Sequence, residues 1–66
     1  MNLTVNGSPR DYAGPPTVAG LLDFLGLEGG TVVVELNGAL VGRASQSETP
    51  LRDGDAVEIV RLVGGG

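Results

Sequence analysis

Residues 17–26 read Thr17-Val18-Ala19-Gly20-Leu21-Leu22-Asp23-Phe24-Leu25-Gly26. Val18, Leu21, Leu22 and Leu25 recur at i, i+3, i+4 and i+7, which places them along one face of an α-helix. Thr17 stands at the N-cap, where its hydroxyl can accept from an amide of the first turn that has no helical partner. Gly26 suits the left-handed residue that closes a helix. Gly20 interrupts the period and costs about 1 kcal/mol relative to alanine; the spacing predicts that it permits a close approach to a sheet or is tolerated. A helix with one apolar face has to bury that face against a second layer.

Both flanks of the helix supply that layer. Towards the N-terminus, Leu3 and Val5 alternate with Asn2 and Thr4, the period of a half-buried strand. Asn6-Gly7 follows and signals a type I′ hairpin, whose two central residues need positive φ. A second strand is expected over about Arg10 to Tyr12, at a sheet edge, because Pro9 cannot donate to a ladder. Ala13 to Pro16 break the pattern before the helix. Beyond it, Leu27 to Gly30 connect to a strand over Thr31–Leu36, with Val32, Val34 and Leu36 on one face and Val33 and Glu35 on the other. Asn37-Gly38 repeats the hairpin signal and leads to a short strand at Ala39–Val41. Gly42 to Pro50 form a polar loop with room for one helical turn. Arg52-Asp53-Gly54-Asp55 is turn chemistry, and Ala56–Val63 form the last strand.

The expected fold is α+β: a mixed four- to five-stranded sheet crossed by one main helix, a β-grasp arrangement, as a single domain over residues 1–66. The expected core joins Leu3, Val5, Val18, Leu21, Leu22, Leu25, Val32, Val34, Val57 and Ile59. A domain this small buries only about 60% of its unfolded surface, so its stability is marginal.

Composition excludes several function classes. The chain has no cysteine and no histidine, so it lacks thiolate ligands, imidazole ligands and the usual general base. Eight acidic residues face four basic ones, all arginine, for a formal charge of −4. That balance opposes nucleic-acid binding, which draws on clustered positive charge, and suits a basic partner surface. One phenylalanine and one tyrosine make no stacking platform for bases. Neither a signal peptide nor a membrane span is expected, and the reading is a cytoplasmic chain, monomeric when free.

The C-terminus poses a separate question, because Gly64, Gly65 and Gly66 follow the last strand directly. Glycine buries nothing and loses the most backbone freedom on ordering, so the three residues are a flexible leftover or a part that works inside another protein. A phosphate cradle would need a helix after the glycines, and a tail rather than a loop is expected. If Val57 and Ile59 face the core, alternation sends Glu58, Val60 and Leu62 to the opposite face. Val60 and Leu62 are then available for docking a partner; alternatively Leu62 and Val63 cover a core edge. Arg61, beside the tail, is the arginine placed to pair with an acidic partner residue. Asp53 and Asp55 flank Gly54, but two carboxylates without further oxygen ligands make a poor cation site, and a turn role is expected.

Taken together, "LTVNG", "PPTVAGLLDFLGL", "VVELNGALV" and "LRDGDAVEIVRLVGGG" resemble the ThiS family, the ubiquitin-like sulfur carriers of thiamine biosynthesis. The resemblance covers essentially the whole chain, departing at Gly42, where family members commonly have proline. It implies a carrier that is not an enzyme and binds no cofactor of its own. Gly66 would be adenylated by an E1-like adenylyltransferase using ATP and converted to a thiocarboxylate, from which a thiazole synthase draws sulfur. Gly64 and Gly65 would enter the partner's active site, with Val60, Arg61, Leu62 and Val63 docking. Three extended residues span at most about 10 Å, enough to pass a narrow channel. The absence of lysine fits, since no side-chain amine can capture the activated carboxyl. Carriers for molybdopterin or other sulfur-containing metabolites, and ubiquitin-like protein modifiers, share such a tail and remain alternatives.

Overall fold

The computed structural model describes residues 1–62; the expectations for Val63, Gly64, Gly65 and Gly66 lie outside the described residues. Both Asn-Gly pairs adopt the geometry their sequence demands, with φ of 49° at Asn6, 81° at Gly7, 51° at Asn37 and 85° at Gly38. Each closes an antiparallel hairpin: β1 (Asn2–Val5) with β2 (Ser8–Asp11), and β3 (Val32–Leu36) with β4 (Ala39–Val41). The second strand thus begins and ends earlier than expected. Its register sets Pro9 opposite Thr4 at the sheet edge, where a missing N–H costs no ladder bond.

Between the hairpins lies α1 (Val18–Phe24). The Thr17 hydroxyl accepts from the Gly20 amide at 3.1 Å, and the helix stops at Phe24 with Leu25 as its cap and Gly26 at φ 74°. A 3₁₀ turn over Gly29–Thr31 leads into β3, and another over Arg43–Ser45 follows β4. The chain then returns as β5 (Ala56–Arg61), which inserts between the hairpins to give the order β2-β1-β5-β3-β4. β5 runs parallel to β1 and antiparallel to β3. The result is a five-stranded mixed sheet with one α-helix, the β-grasp architecture. Among the described residues no helix is long and apolar enough to cross a membrane.

Val18, Leu21 and Leu22 from the helix meet Leu3, Val32, Val34, Val57 and Ile59 from the sheet, all buried. Each such side chain stabilises the fold by about 1.5–3 kcal/mol. Val5 and Leu25, expected in the core, are only partly buried against it, because they sit at the end where helix and sheet diverge into a groove. Tyr12, Val41 and Leu51 are buried instead. Leu51 is drawn in because its segment is stitched to the helix start: its amide donates to the Pro16 carbonyl, and the Val18 amide donates to the Thr49 carbonyl. Tyr12 donates its hydroxyl to the Pro15 carbonyl. That arrangement also explains Gly20. A Cβ there would lie 2.6 Å from the Pro15 carbonyl oxygen and 2.9 Å from the Tyr12 hydroxyl, so the close approach is to the connection before the helix rather than to the sheet.

Candidate functional site

The last strand is central in the sheet, and its two backbone edges are held in different ways. Towards β3, the residues at 58 and 60 pair with Glu35 and Val33, and the Leu62 amide donates to the Thr31 carbonyl at 2.9 Å. This anchors the backbone through the last described residue. Towards β1, pairing covers Ala56 and Val57, and the Asn6 amide donates to the Val57 carbonyl at 2.9 Å. The Asn6 side chain then takes over the work of a strand. Its Oδ1 accepts from the Ile59 amide at 2.6 Å and its Nδ2 donates to the Ile59 carbonyl at 3.1 Å. At the other end of the strand, Asn37 Oδ1 accepts from the Ala56 amide at 2.9 Å and Nδ2 donates to Asp55 at 3.0 Å.

Side chains follow the period of two. Val57 and Ile59 are buried, whereas Glu58 and Val60 face outward. Val60 is 61% exposed and Leu62 54% exposed, so the reading in which Leu62 covers a core edge does not describe the fold. Register brings neighbours that the linear sequence keeps apart: Val33 lies opposite Val60, Glu35 opposite Glu58, and Leu40 opposite Glu35. Leu40 is 71% exposed. The open face of the sheet therefore presents Val33, Leu40, Val60 and Leu62 around two directly opposed carboxylates. Arg10 and Arg61 belong to the other face by register, opposite Leu3 and Val32 respectively, so the strand residues of the open face include no cation among those described. Leu40 and Val33 were not singled out from the sequence. Alternation along each strand contains the signal, but only register shows that they join Val60.

Arg61, exposed on the helix side, lines a groove of about 330 Å³ with Val5, Asn6, Leu25, Leu27 and Ile59. The groove opens beside the place where the chain leaves the sheet. The two sides of the strand's end thus differ in chemistry: apolar and acidic on the open face, apolar with one guanidinium on the other.

Asp53 and Asp55 are occupied in the turn before β5. Asp53 Oδ1 accepts from the Asn2 amide at 2.5 Å, and Asp55 Oδ2 accepts from the Arg52 amide at 2.8 Å. The hydrogen bond from Asn37, then that from the Arg52 amide, hold the Asp55 carboxyl below its ordinary value. Burial, and secondarily the charge of Asp23, push the Tyr12 phenol up; it lies at the helix start, away from β5. Among the described residues no three His, Cys, Asp or Glu side chains gather as a metal-binding group. The proposed tail residues Gly64, Gly65 and Gly66, with Val63, lie outside the described residues.

The sequence model of the ThiS family matches residues 3–66. The sulfur carrier protein ThiS of Thermus thermophilus is 40% identical over 62 residues, covering 94% of this chain and 95% of that protein. The crystal structure of a thiamine biosynthesis protein (ThiS) from Geobacter metallireducens superposes with a TM-score of 0.84 at 43% identity, covering 100% of both chains. A thiazole synthase of Paramagnetospirillum magneticum is 39% identical across 100% of this chain, which spans only 20% of that relative's length.

Proposed function

The chain belongs to the ThiS family, and from that premise we propose that it carries sulfur in thiamine biosynthesis as a thiocarboxylate on Gly66. A free carboxylate is a poor electrophile. Attack by a Gly66 carboxylate oxygen on the α-phosphorus of ATP releases pyrophosphate and leaves an acyl adenylate. Sulfide then attacks the acyl carbon, the bond to the AMP phosphate oxygen breaks with AMP leaving, and loss of the S–H proton leaves the C-terminus as a thiocarboxylate. The chain has no histidine, cysteine or lysine, so the acid–base work falls to an E1-like adenylyltransferase, and ATP is that enzyme's substrate rather than a cofactor of the carrier.

The observation that carries this reading is the anchoring of Leu62 to Thr31 at 2.9 Å. In sequence, Val63 and then three glycines follow a backbone fixed at that point, and glycine has no Cβ to obstruct passage or attack. Val60 and Leu62 dock on an apolar surface of the partner, and Glu35 with Glu58 favours a surface bordered by cations. Arg61 and Val63 complete the proposed contact beside Gly64 and Gly65. The support for a thiazole synthase as sulfur acceptor is the relative of that name, which matches this whole chain over a fifth of its own length.

The test is intact-mass spectrometry after incubation with ATP, a sulfide source and the adenylyltransferase of the same organism. The carrier is expected to gain the mass difference of one sulfur for one oxygen. No gain with an enzyme active on another carrier overturns the reading, and adducts to other proteins mark a modifier instead.

A further inference from the structure

The hydrogen-bonding directions along β5 alternate strictly. Leu62 faces β3, since its amide donates to Thr31, and Ile59 faces β1, since both its backbone groups meet Asn6. Arg61 therefore turns its N–H and C=O towards the β1 side. There β1 has ended at Val5, and Asn6 is already committed to Ile59. Among the described residues nothing pairs with Arg61 on that side, which leaves an open lane in the middle of the strand order, flanked by the apolar groove. Unpaired backbone next to a side-chain pocket is what an added strand requires: main-chain bonds supply affinity and the pocket supplies selectivity.

Resting on the carrier reading, we propose that this lane takes one extended segment of the adenylating enzyme. The segment pairs with the Arg61 backbone, seats an apolar side chain against Val5, Leu25, Leu27 and Ile59, and sets a carboxylate on the Arg61 guanidinium. Among the described residues the guanidinium is the one cation lining the groove, and charge complementarity selects an acidic residue. Recognition then grips the strand on both faces, with Val60 and Leu62 held on one side and Arg61 on the other. Such a grip fixes the direction in which the tail departs, which a single flat contact would not.

Amide hydrogen exchange and affinity measurements on the full chain test this with the adenylyltransferase as probe. The Arg61 amide is expected to exchange freely in the free carrier and to gain protection in the complex. Arg61→Glu should weaken binding at least tenfold, and Arg61→Ala less. Arg61→Pro removes an N–H that points away from β3, so the circular dichroism spectrum should stay native while binding falls several-fold below that of Arg61→Ala. An Arg61 amide that stays unprotected in the complex, or is already protected in the free carrier, overturns the proposal. So does equal binding by the alanine and proline variants. Sulfur loading by mass separates the two readings: loading with an unprotected Arg61 amide removes this inference alone, whereas no loading and no binding remove both.

Discussion

The two Asn-Gly turns, Val5-Asn6-Gly7 and Leu36-Asn37-Gly38, are near-identical in sequence and in backbone angles, yet they do different work. Asn37 reaches the start of β5 at an exposed site, giving one bond to the Ala56 amide and one to a solvent-facing carboxylate. Asn6 lies 53 residues from Ile59 in sequence and satisfies both of its backbone groups in a half-buried setting. One turn trims the approach to the central strand; the other substitutes for a missing stretch of β1 next to the proposed docking end. A turn motif specifies its own conformation, and what its side chain is worth depends on where the rest of the chain puts it.

Replacing each asparagine by glycine keeps positive φ available and removes only the side-chain bonds, so the pair of variants isolates the difference. Asn6→Gly should cost about 2–3 kcal/mol, because two partly buried backbone groups lose their partner at about 1 kcal/mol or more each. Urea denaturation reads this directly, and a cost equal to that of the other turn would erase the distinction. Asn37→Gly should cost only about 1 kcal/mol, since water can reach the groups it leaves. A cost above that of Asn6→Gly would reverse the ranking.

The smallest effect is on pH dependence. Asp55 has a depressed pKa in the fold, with Asn37 the largest cause. Its stabilising contribution is present above the ordinary carboxylate value and is lost as pH falls through the lower, folded value. The stability gap between wild type and Asn37→Gly should therefore narrow in acid, below about pH 4. The gap for Asn6→Gly should stay level, because Asn6 bonds no titratable group. Denaturation midpoints across an acid series check this, and parallel curves for the two variants would show that Asp55 does not couple to Asn37.

Much of the fold was legible because its signals are local. The helix followed from its i, i+3, i+4, i+7 period and Thr17; the strands followed from alternation, and the edge position of the second strand from Pro9. The buried Tyr12, Val41 and Leu51 were not legible: Tyr12 and Val41 end expected strands of about three residues, too short for alternation to mark a face, and Leu51 lies in a loop with no period. Their burial depends on the segments after β2 and β4 closing over the helix start. Within the candidate site, the outward direction of Val60 and Leu62 could be read from the last strand alone. Their neighbours Val33 and Leu40, the opposed Glu35 and Glu58, and the groove beside Arg61 needed the register of three strands.

By itself, then, the sequence determined the conformers: positive φ at the two turns, one amphipathic helix, strands with two unlike faces and glycines after the last of them. Short-range sterics and side-chain period settle these, and they act within a few residues. Tertiary structure decided the pairings: β5 between the two hairpins and Asn6 on Ile59. The contacts of β5 with β1 and Asn6 join residues more than fifty positions apart, and which pairings form depends on burying the helix face and both hairpins at once. That is a property of the whole sheet, and no local stretch encodes it.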